Sequence, residues 1–267
     1  TLYRAEYIHG SWQETHKWPP CTNVTRLCGS CNVHDETKAL LVENNVDHGE
    51  FSPAVLHDVE KSVKSGRFFD GDEMGWKPTE EMCRGRRDYR NHRIFTIDPT
   101  TAKDLDDALH ITRLSDGRVE IGVHIADVSH YIEADGVLDT SAYERATSVY
   151  MPDRVVPMLP ERLSNGLCSL RPHEEKLTYS CIYKMTNDGK ILDKWLGRTV
   201  INSNHRFTYE DVQQIIDKGS GIYDKEVLLL HNLAQKMRQE RMKNGAINFS
   251  SQEVRFKLDE LGRPIGI

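Results

Sequence analysis

Apolar and polar residues alternate in two long stretches of the chain, and each stretch is predicted to form a β-hairpin. They are DALHITRLSDGRVEIGVHIADV (residues 107–128) and LTYSCIYKMTNDGKILDKWLGRTVI (residues 177–201). An Asp-Gly pair marks each turn, at residues 116–117 and 188–189. In the first stretch, the residues expected to point inward are Val119, Ile121, Val123 and Ile125.

Two shorter stretches also follow a strand pattern, and between the strands several segments follow a helical one. RIFTID (residues 93–98) should place Phe95 and Ile97 on one face, and AINFSSQEVRFKLDE (residues 246–260) should return to strand. Helices are predicted within residues 35–64, 139–148, 208–217 and 224–245.

Capping residues support these helices. Ser52 with Pro53 marks a helix start, Thr208 is an N-cap with Asp211 close to a capping box, and Gly245 stops the last helix. Residues 64–81 are Gly-rich and charged, which predicts a loop. Because strands and helices alternate irregularly and include hairpins, we expect an α+β fold with a mixed, largely antiparallel sheet and flanking helices.

Composition describes an ordinary globular protein: of the 267 residues, 38% are hydrophobic and 28% charged, and the formal net charge is −6. No apolar run is long enough to span a bilayer. Five arginines between Arg84 and Arg93 form a basic run, for which a solvated face is the favoured interpretation. The chain begins without methionine and ends in mid-pattern, so we expect a piece of a longer protein.

Six cysteines form no evident disulfide framework, which favours a reducing compartment. The spacing of Cys21, Cys28, Cys31 and His34 raises the possibility of a zinc site. Structural zinc sites usually pair two short ligand couples, and only Cys28 and Cys31 make a good couple here. Incidental cysteines are the favoured interpretation.

The candidate chemistry lies in FTIDPTTAKDLDDALHI (residues 95–111), where four aspartates occur within ten residues. They are Asp98, Asp104, Asp106 and Asp107. Turn and cap roles explain one or two of them. A calcium loop of the EF-hand type requires Gly at its sixth position and Glu at its twelfth, and neither possible start provides them.

Magnesium is the remaining interpretation of the four aspartates. Mg²⁺ prefers carboxylate oxygens, keeps several waters and is usually shared with substrate phosphates. Two such ions about 4 Å apart activate a water and stabilise the leaving oxygen of a phosphodiester. The spacing therefore favours metal-assisted phosphoryl chemistry.

Four blocks of sequence together resemble the catalytic (RNB) domain of the RNase II and RNase R superfamily. They are TIDPTTAKDLDDAL, GVHIADVSHYI, RATSVYMPDRVVPMLPERLSNGLCSLRP and NGAINFSSQEVRFKLD. The resemblance implies that residues 88–267 are the N-terminal part of an RNB domain. It further implies that residues 35–87 are a connector and residues 1–34 the tail of a cold-shock (OB) β-barrel. SNHRFTYED and ERATSVY look closer to RNase R and to the exosome-independent cytoplasmic relative of the exosome nuclease than to RNase II.

The resemblance implies hydrolytic 3′→5′ degradation of single-stranded RNA to nucleoside 5′-monophosphates. Asp98, Asp104 and Asp107 would be metal ligands. Asp106 would contribute through the second metal or the attacking water, and its loss would damage catalysis most. Two Mg²⁺ ions are expected, for which Mn²⁺ would substitute.

The resemblance also implies RNA-binding aromatic residues. Tyr150 matches the aromatic that stacks on the terminal bases, Phe249 its opposite wall, and Tyr209 a tyrosine near the reacting nucleotide. From sequence alone, such a Tyr or Phe is more often a core residue. For His124, Asp127 and Arg206, a structural role is the favoured interpretation.

The family's catalytic domain continues beyond Ile267, with an arginine-rich motif that steadies the scissile phosphate and usually an S1 RNA-binding barrel. We therefore expect this stretch alone to be weak or inactive. A catalytically silent RNA-binding protein of the same fold is the rival class, and a metal-binding structural protein a third. A monomeric protein without a membrane partner is expected, in the cytoplasm or, in a eukaryote, also the nucleus.

Overall fold

A computed structural model describes residues 2–28, 33–65, 67–69, 72–152, 154–249, 257–259 and 264–266. In these residues the strands are β1 (Leu2–Tyr7), β2 (Cys21–Cys28), β3 (Arg67–Phe69), β4 (Asp72–Lys77), β5 (Arg87–Asp88), β6 (Phe95–Asp98), β7 (Asp107–Arg113), β8 (Val119–Ala126), β9 (Val149–Tyr150), β10 (Val155–Val156), β11 (Glu175–Met185), β12 (Ile191–Asn202), β13 (His205–Thr208), β14 (Lys257–Leu258) and β15 (Pro264–Gly266).

The helices are α1 (Val33–Glu43), α2 (Pro53–Lys64), α3 (Glu80–Cys83), α4 (Val137–Arg145), α5 (Tyr209–Lys218) and α6 (Asp224–Lys243). A 3₁₀ turn spans Val128–His130 and a π-helical segment spans Arg162–Cys168. The longest described helix is α6, with 20 residues, and neither it nor any other described helix has the uncharged apolar length that a bilayer crossing requires.

The chain divides into two compact units. The smaller comprises residues 1–51, 141–158 and 251–267. In it, β1 pairs with β2, β9 with β10, and β14 with β15, each pair antiparallel. The residue boundaries predicted for a cold-shock tail and a connector stay predictions.

The larger unit, residues 52–140 and 159–250, is built on a seven-stranded sheet in the order β13-β6-β7-β8-β11-β12-β5. The pairings β6-β7, β7-β8, β8-β11 and β11-β12 are antiparallel. At the two edges, β13 pairs with β6 and β5 pairs with β12, both in parallel. The predicted mixed, largely antiparallel sheet with flanking helices is confirmed. Both predicted hairpins are present, as β7–β8 and β11–β12.

Helices α5 and α6 cover one face of this sheet. Phe95, Phe207, Ile215 and Val227 pack together, with Leu109 and Ile97 against them. A second cluster joins the far half of the β7–β8 hairpin to α6 and consists of Ile111, Val119, Ile121, Met185 and Leu233. Phe95 and Ile97 share a face, as the alternation predicted.

The opposite face of the same strands is buried but polar. His110, His124, Thr178, Ser180 and Thr199 are almost inaccessible to solvent. Since buried polar groups require hydrogen-bond partners, this layer must satisfy itself internally.

Two expectations about these elements were wrong, and a third is confirmed in part. Residues 64–81 are not a loop, because β3 pairs with β4 and Trp76 is buried with its indole N–H donating to the carbonyl oxygen of Val63 at 3.1 Å. On β8, Val119 and Ile121 are buried but Ile125 is 47% exposed, since it pairs with Asp107 beyond the apolar clusters. The return to strand predicted for residues 246–260 is present at β14 (Lys257–Leu258), whereas residues 246–249 carry no strand and 250–256 lie outside the described residues.

The arginine run is a solvated face only in part: Arg84, Arg87 and Arg93 are exposed, whereas Arg86 and Arg90 are less accessible. Arg86 has a side chain only 3% exposed and donates to Asp127 Oδ2 at 2.7 Å. Arg90 binds Asp88 and Glu175, and Arg87 lies over the ring of Trp195 at 3.7 Å from its centroid. These contacts use the arginines to join sheet strands and loops within the larger unit.

Candidate active site

Asp98 stands at the end of β6, where the alternation of the strand decides its surroundings. Phe95 and Ile97 face the helices, so Thr96 and Asp98 point to the other side. Asp98 is 8% exposed. A carboxylate this far from water needs a partner of opposite charge or several hydrogen bonds.

The loop after Asp98 is held in place by a distant segment of the chain. The backbone N–H of Leu105 donates to Ser169 Oγ at 3.1 Å, and the Ser169 hydroxyl donates to the carbonyl oxygen of Lys103 at 2.8 Å. The N–H of Leu170 donates to the carbonyl oxygen of Leu105 at 2.9 Å, and Leu105 itself is buried. These three hydrogen bonds, with the buried leucine, fix the backbone between Asp104 and Asp106.

Both ends of the same loop are fixed as well. Arg206 Nη2 donates to the carbonyl oxygens of Pro99 and Thr100, each at 2.9 Å. At the other end, the N–H of Ala126 donates to the carbonyl oxygen of Asp106 at 2.9 Å, and Asp107 begins β7. The loop is therefore a rigid support for its carboxylates.

The carboxylates of the loop act on one another electrostatically. Burial raises the pKa of Asp98; the charges of Asp107 and Asp104 act in the same direction, and the nearby Thr96 hydroxyl and Arg206 oppose them. Burial also raises the pKa of Asp106, with further increases from the charges of Asp104, Asp107 and Asp98. The pKa of Asp107 is raised by burial.

These groups form an open nest rather than a closed cage. Asp106 and Asp107 are accessible to solvent although protein surrounds them, and in the described chain no three of the four carboxylates bring oxygens within 4.8 Å of one another. Asp98 Oδ2 is buried and has no hydrogen-bond partner. An orphaned carboxylate oxygen beside other carboxylates fits a divalent cation that keeps part of its water shell, as Mg²⁺ does.

Tyr209 is placed at this nest by strand pairing. Thr208, at the end of β13, is the partner of Asp98 in the parallel ladder, and Tyr209 follows as the first residue of α5. Neighbouring strands lie about 4.8 Å apart, so the two backbones are adjacent. The Tyr209 side chain is 50% exposed, which leaves its ring and hydroxyl available to a ligand.

Comparison with known proteins identifies the family. Residues 86–267 match the family described as the RNB domain. The chain belongs to the RNB-domain family. Within it, the relatives place the chain in the RNase II and RNase R superfamily of exoribonucleases, as the sequence blocks predicted.

Curated relatives of this RNB-domain chain include proteins from an animal and from a bacterium. DIS3-like exonuclease 2 of Xenopus tropicalis is 37% identical over 274 residues, covering 96% of this chain and 32% of that protein. Ribonuclease R 1 of Lactococcus lactis is 47% identical over 199 residues, covering 71% of this chain and 24% of that protein. The chain thus spans between a quarter and a third of the length of these relatives.

Solved structures share the fold. RNase R of Mycoplasma genitalium in complex with double-stranded RNA superposes with a TM-score of 0.76 at 29% identity, covering 92% of this chain and 42% of that one. Its complex with ribose methylated single-stranded RNA gives the same values, with 36% of that chain covered. Yeast Ssd1, described as a pseudonuclease, has a TM-score of 0.69 at 22% identity, covering 90% and 28%, and shows the fold alone.

The other two aromatic residues singled out in the RNB domain are exposed. Phe249 follows α6 in an irregular segment and is 88% exposed. Tyr150 belongs to the smaller unit, where it ends β9 opposite Val155, and is 66% exposed. Neither is a core residue, and their contact with RNA stays a prediction.

The residues given a structural role have one. Asp127 is the buried partner of Arg86, His124 lies in the polar layer of the sheet, and Arg206 holds the acidic loop. Sequence reasoning missed Ser169, which fixes that loop from the far side. It stands in the family block SNGLCSLRP, which was the only signal for it.

The possible zinc site near the N-terminus, for which incidental cysteines were the favoured interpretation, is untested. Cys31 and the side chain of Cys28 lie outside the described residues, and Cys21 is exposed as a free thiol.

Proposed function

We propose that this chain provides the metal-binding carboxylates of a Mg²⁺-dependent, hydrolytic 3′→5′ exoribonuclease that degrades single-stranded RNA to nucleoside 5′-monophosphates. The observation that carries the proposal is Asp98 Oδ2, which is buried without a partner. The charges of neighbouring carboxylates, after burial, raise the pKa values of Asp98 and Asp106. Repulsion of this kind is tolerated when cations complete the site.

The residues that would hold Mg²⁺ are Asp98, Asp104, Asp106 and Asp107. When bound, Mg²⁺ supplies positive charge that lowers the pKa of a bound water and stabilises charge on the phosphodiester oxygens. Asp98 offers its oxygen from the rigid end of β6, while Asp106 and Asp107 face solvent, where a phosphate has access. We assign to Asp106 the orientation of the attacking water, and we expect Mn²⁺ to substitute for Mg²⁺.

The proposed substrate follows from the aromatic residues and from the solved RNase R complexes with RNA. Stacking on Tyr150 and Phe249 would accept any base, because every base has a π-face. Tyr209 follows Thr208, the strand partner of Asp98, and we propose that it contacts a ribose hydroxyl and so favours RNA over DNA. We propose a monomer. We also propose a reducing compartment such as the cytoplasm, with which the free thiols of Cys21, Cys83, Cys168 and Cys181 are consistent.

A silent RNA-binding protein is the second candidate, because a pseudonuclease has this fold. A protein that had lost catalysis would have no need to retain a cluster of mutually repelling carboxylates. All four are retained, and three have raised pKa values. The enzyme is therefore the better supported function.

The test compares the longest natural chain containing these residues with its Asp106→Asn variant. Single-stranded RNA labelled at its 5′ end is incubated with and without Mg²⁺, and the lengths of the labelled products are resolved by gel electrophoresis. RNA binding is measured separately by filter retention. We expect stepwise shortening from the 3′ end, abolished by chelation, and a loss of at least 100-fold in Asp106→Asn with binding retained.

Asp188→Asn is the matched control, since Asp188 is exposed in the β11–β12 turn and Asn is well suited to that turn. It should leave the rate unchanged. RNA binding without shortening in the unsubstituted chain would instead establish the silent protein. Equal activity in Asp106→Asn would refute the assignment of the nest.

A further inference from the structure

A second cluster of ligand-type side chains lies apart from the aspartates. One ring nitrogen each from His92 and His110 and one carboxylate oxygen of Glu120 all lie within 4.8 Å of one another. His92 is in the connection between β5 and β6, His110 on β7 and Glu120 on β8. In the described residues this is the one group of three or more such side chains that is this close.

Two of these side chains have buried nitrogens without partners. His110 is fully buried and its Nε2 makes no hydrogen bond, and His92 Nδ1 is likewise buried and unpartnered. His110 Nε2 lies 3.6 Å from Glu120 Oε1, too far for a hydrogen bond.

The other ring nitrogen of His110 belongs to a chain of hydrogen bonds. His110 Nδ1 lies 2.8 Å from His124 Nε2, and His124 Nδ1 lies 2.7 Å from Ser180 Oγ. The Ser180 hydroxyl in turn forms a hydrogen bond with the Thr199 hydroxyl, which forms another with the Thr178 hydroxyl. In one tautomeric arrangement, His110 Nδ1–H donates to His124 Nε2 and His124 Nδ1–H donates to Ser180 Oγ. The Ser180 hydroxyl can then donate onward, and His110 Nε2 is left unprotonated with its lone pair available.

That tautomer is the one a metal ligand needs. A ligating histidine almost always donates its second ring N–H to another polar group, which orients the ring and raises its basicity. The sheet also makes room for the ring: a Cβ at Gly122 would lie 2.2 Å from His110 Cε1. Tyr89 packs against both imidazoles, with ring centroids 4.7 Å from His92 and 5.3 Å from His110.

We propose that His92, His110 and Glu120 bind a divalent transition-metal ion of the zinc type. Bonds of about 2.0–2.1 Å in a tetrahedral site place neighbouring ligand atoms about 3.3–3.5 Å apart, and His110 Nε2 and Glu120 Oε1 are already 3.6 Å apart. Two imidazoles and one carboxylate are a donor set of Zn²⁺, with water as the fourth ligand. Glu120 is 18% exposed and provides the side from which an ion enters.

An ion at this site would brace the sheet. It joins the β5–β6 connection to the β7–β8 hairpin on the sheet face opposite α5 and α6, and so steadies the strand that carries Asp98. Nitrogen donors distinguish it from the all-carboxylate nest, because magnesium prefers oxygen ligands. The two sites should therefore be separable by the choice of metal.

The experiment titrates the chelator-treated full chain with Zn²⁺ and Co²⁺ while excess Mg²⁺ occupies the nest. Zn²⁺ is followed by competition with a chromophoric chelator, and Co²⁺ by its visible d–d absorption. We expect one high-affinity ion per chain, an intense tetrahedral cobalt spectrum, and shifts of the His92 and His110 imidazole nitrogens in long-range ¹H–¹⁵N spectra. The NMR shifts require no substitution and so do not depend on a variant that folds.

Two variants locate the ion. His92→Ala removes a half-buried ligand and Glu120→Gln is isosteric, and each should weaken Zn²⁺ binding at least 10-fold with an unchanged far-UV spectrum. His57→Ala, on the exposed face of α2, and Asp106→Asn in the nest should keep the affinity and the cobalt spectrum. Two results would overturn the proposal and leave a polar cluster bridged by water. The unsubstituted chain would bind Zn²⁺ no more tightly than its exposed histidines do, or Zn²⁺ binding would be unaffected by His92→Ala and Glu120→Gln.

Discussion

Thr208 is the strand partner of Asp98 in the parallel pairing of β13 with β6. The same threonine is the N-cap of α5: its hydroxyl accepts from the N–H of Asp211 at 3.1 Å, and Asp211 Oδ2 accepts from the N–H of Thr208 at 3.0 Å. One residue therefore fixes the start of a helix against the end of the strand that carries the buried carboxylate. Tyr209 takes its place beside the nest for this reason.

Thr208→Ala should destabilise the protein by about 1 kcal/mol, because the capping hydroxyl is lost. Urea unfolding measures the difference. Thr208→Ser keeps the hydroxyl and should lie close to the unsubstituted protein. Equal losses for Ala and Ser would mean that the methyl group, and not the cap, accounts for the effect.

Arg86→Met should cost about 3–5 kcal/mol in the free energy of unfolding, because Asp127 is left as a buried charge without its main partner. Arg86 also donates to the carbonyl oxygens of Met82 and Thr178, at 2.9 and 3.2 Å. Adding Asp127→Leu should restore part of the loss.

Arg118→Met is the matched control for that measurement. Arg118 pairs with Asp116 in the β7–β8 turn, and both side chains are more than 40% exposed. An exposed pair of this kind contributes about 0–1 kcal/mol. Similar decreases in the free energy of unfolding for Arg86→Met and Arg118→Met would show that burial of the Arg86–Asp127 pair does not increase its contribution to stability.

Asp106→Asn should stabilise the metal-free protein at neutral pH, since it removes one of several repelling charges. Asp106 has a raised pKa in the folded chain, so between its unfolded and folded pKa values the folded state binds more protons and stability falls as pH rises. The gain from Asn should therefore shrink as the pH is lowered through that range. Thermal unfolding in chelator at neutral and acidic pH tests both parts.

Saturating Mg²⁺ should reverse the sign of that difference, because the ion stabilises the carboxylate form and has less affinity for the variant. A variant that is less stable than the parent in chelator would contradict the repulsion described for the nest.

Cys168 should resist alkylation in the folded protein. It is buried, and burial raises its pKa to about 12, so the reactive thiolate is absent at neutral pH. Between the unfolded value of about 8.5 and the folded value, the folded state retains a proton that the unfolded state releases, and stability should fall as pH rises.

Iodoacetamide labelling followed by peptide mass analysis provides the measurement for Cys168. Exposed Cys21 is the internal control and should react at the rate of a free thiol. Rapid labelling of Cys168 before urea is added would contradict the burial described here.

Local patterns in the sequence predicted the local structure well. The Asp-Gly turns, the alternation in β7 and β11, and the Thr208–Asp211 box each depend on neighbouring residues, and the structure contains them. The aspartate nest was found for the same reason, since its four members are close in sequence.

What the sequence did not reveal depends on distant segments. No residue near Arg86 in the sequence indicates that it will form a buried ion pair with Asp127. Around Trp76, the Gly-rich composition predicted a loop where the structure has the β3–β4 hairpin. Ile125 was assigned inward by alternation alone, but the apolar clusters end before the strand does. Alternation identifies a face; packing decides how much of it is covered.

The three hydrogen bonds between the 103–105 backbone and Ser169–Leu170 have a consequence for biosynthesis. A ribosome releases the aspartates long before it releases the serine that anchors their loop, and later still the β13 strand that flanks Asp98. The emerging polypeptide therefore carries its acidic residues on an unanchored loop, and the arrangement of carboxylates that we propose to bind metal forms only after residues 169–208 have joined. A nascent chain stalled before that point would expose the aspartates without the Ser169–Leu170 and β13 contacts that hold their loop.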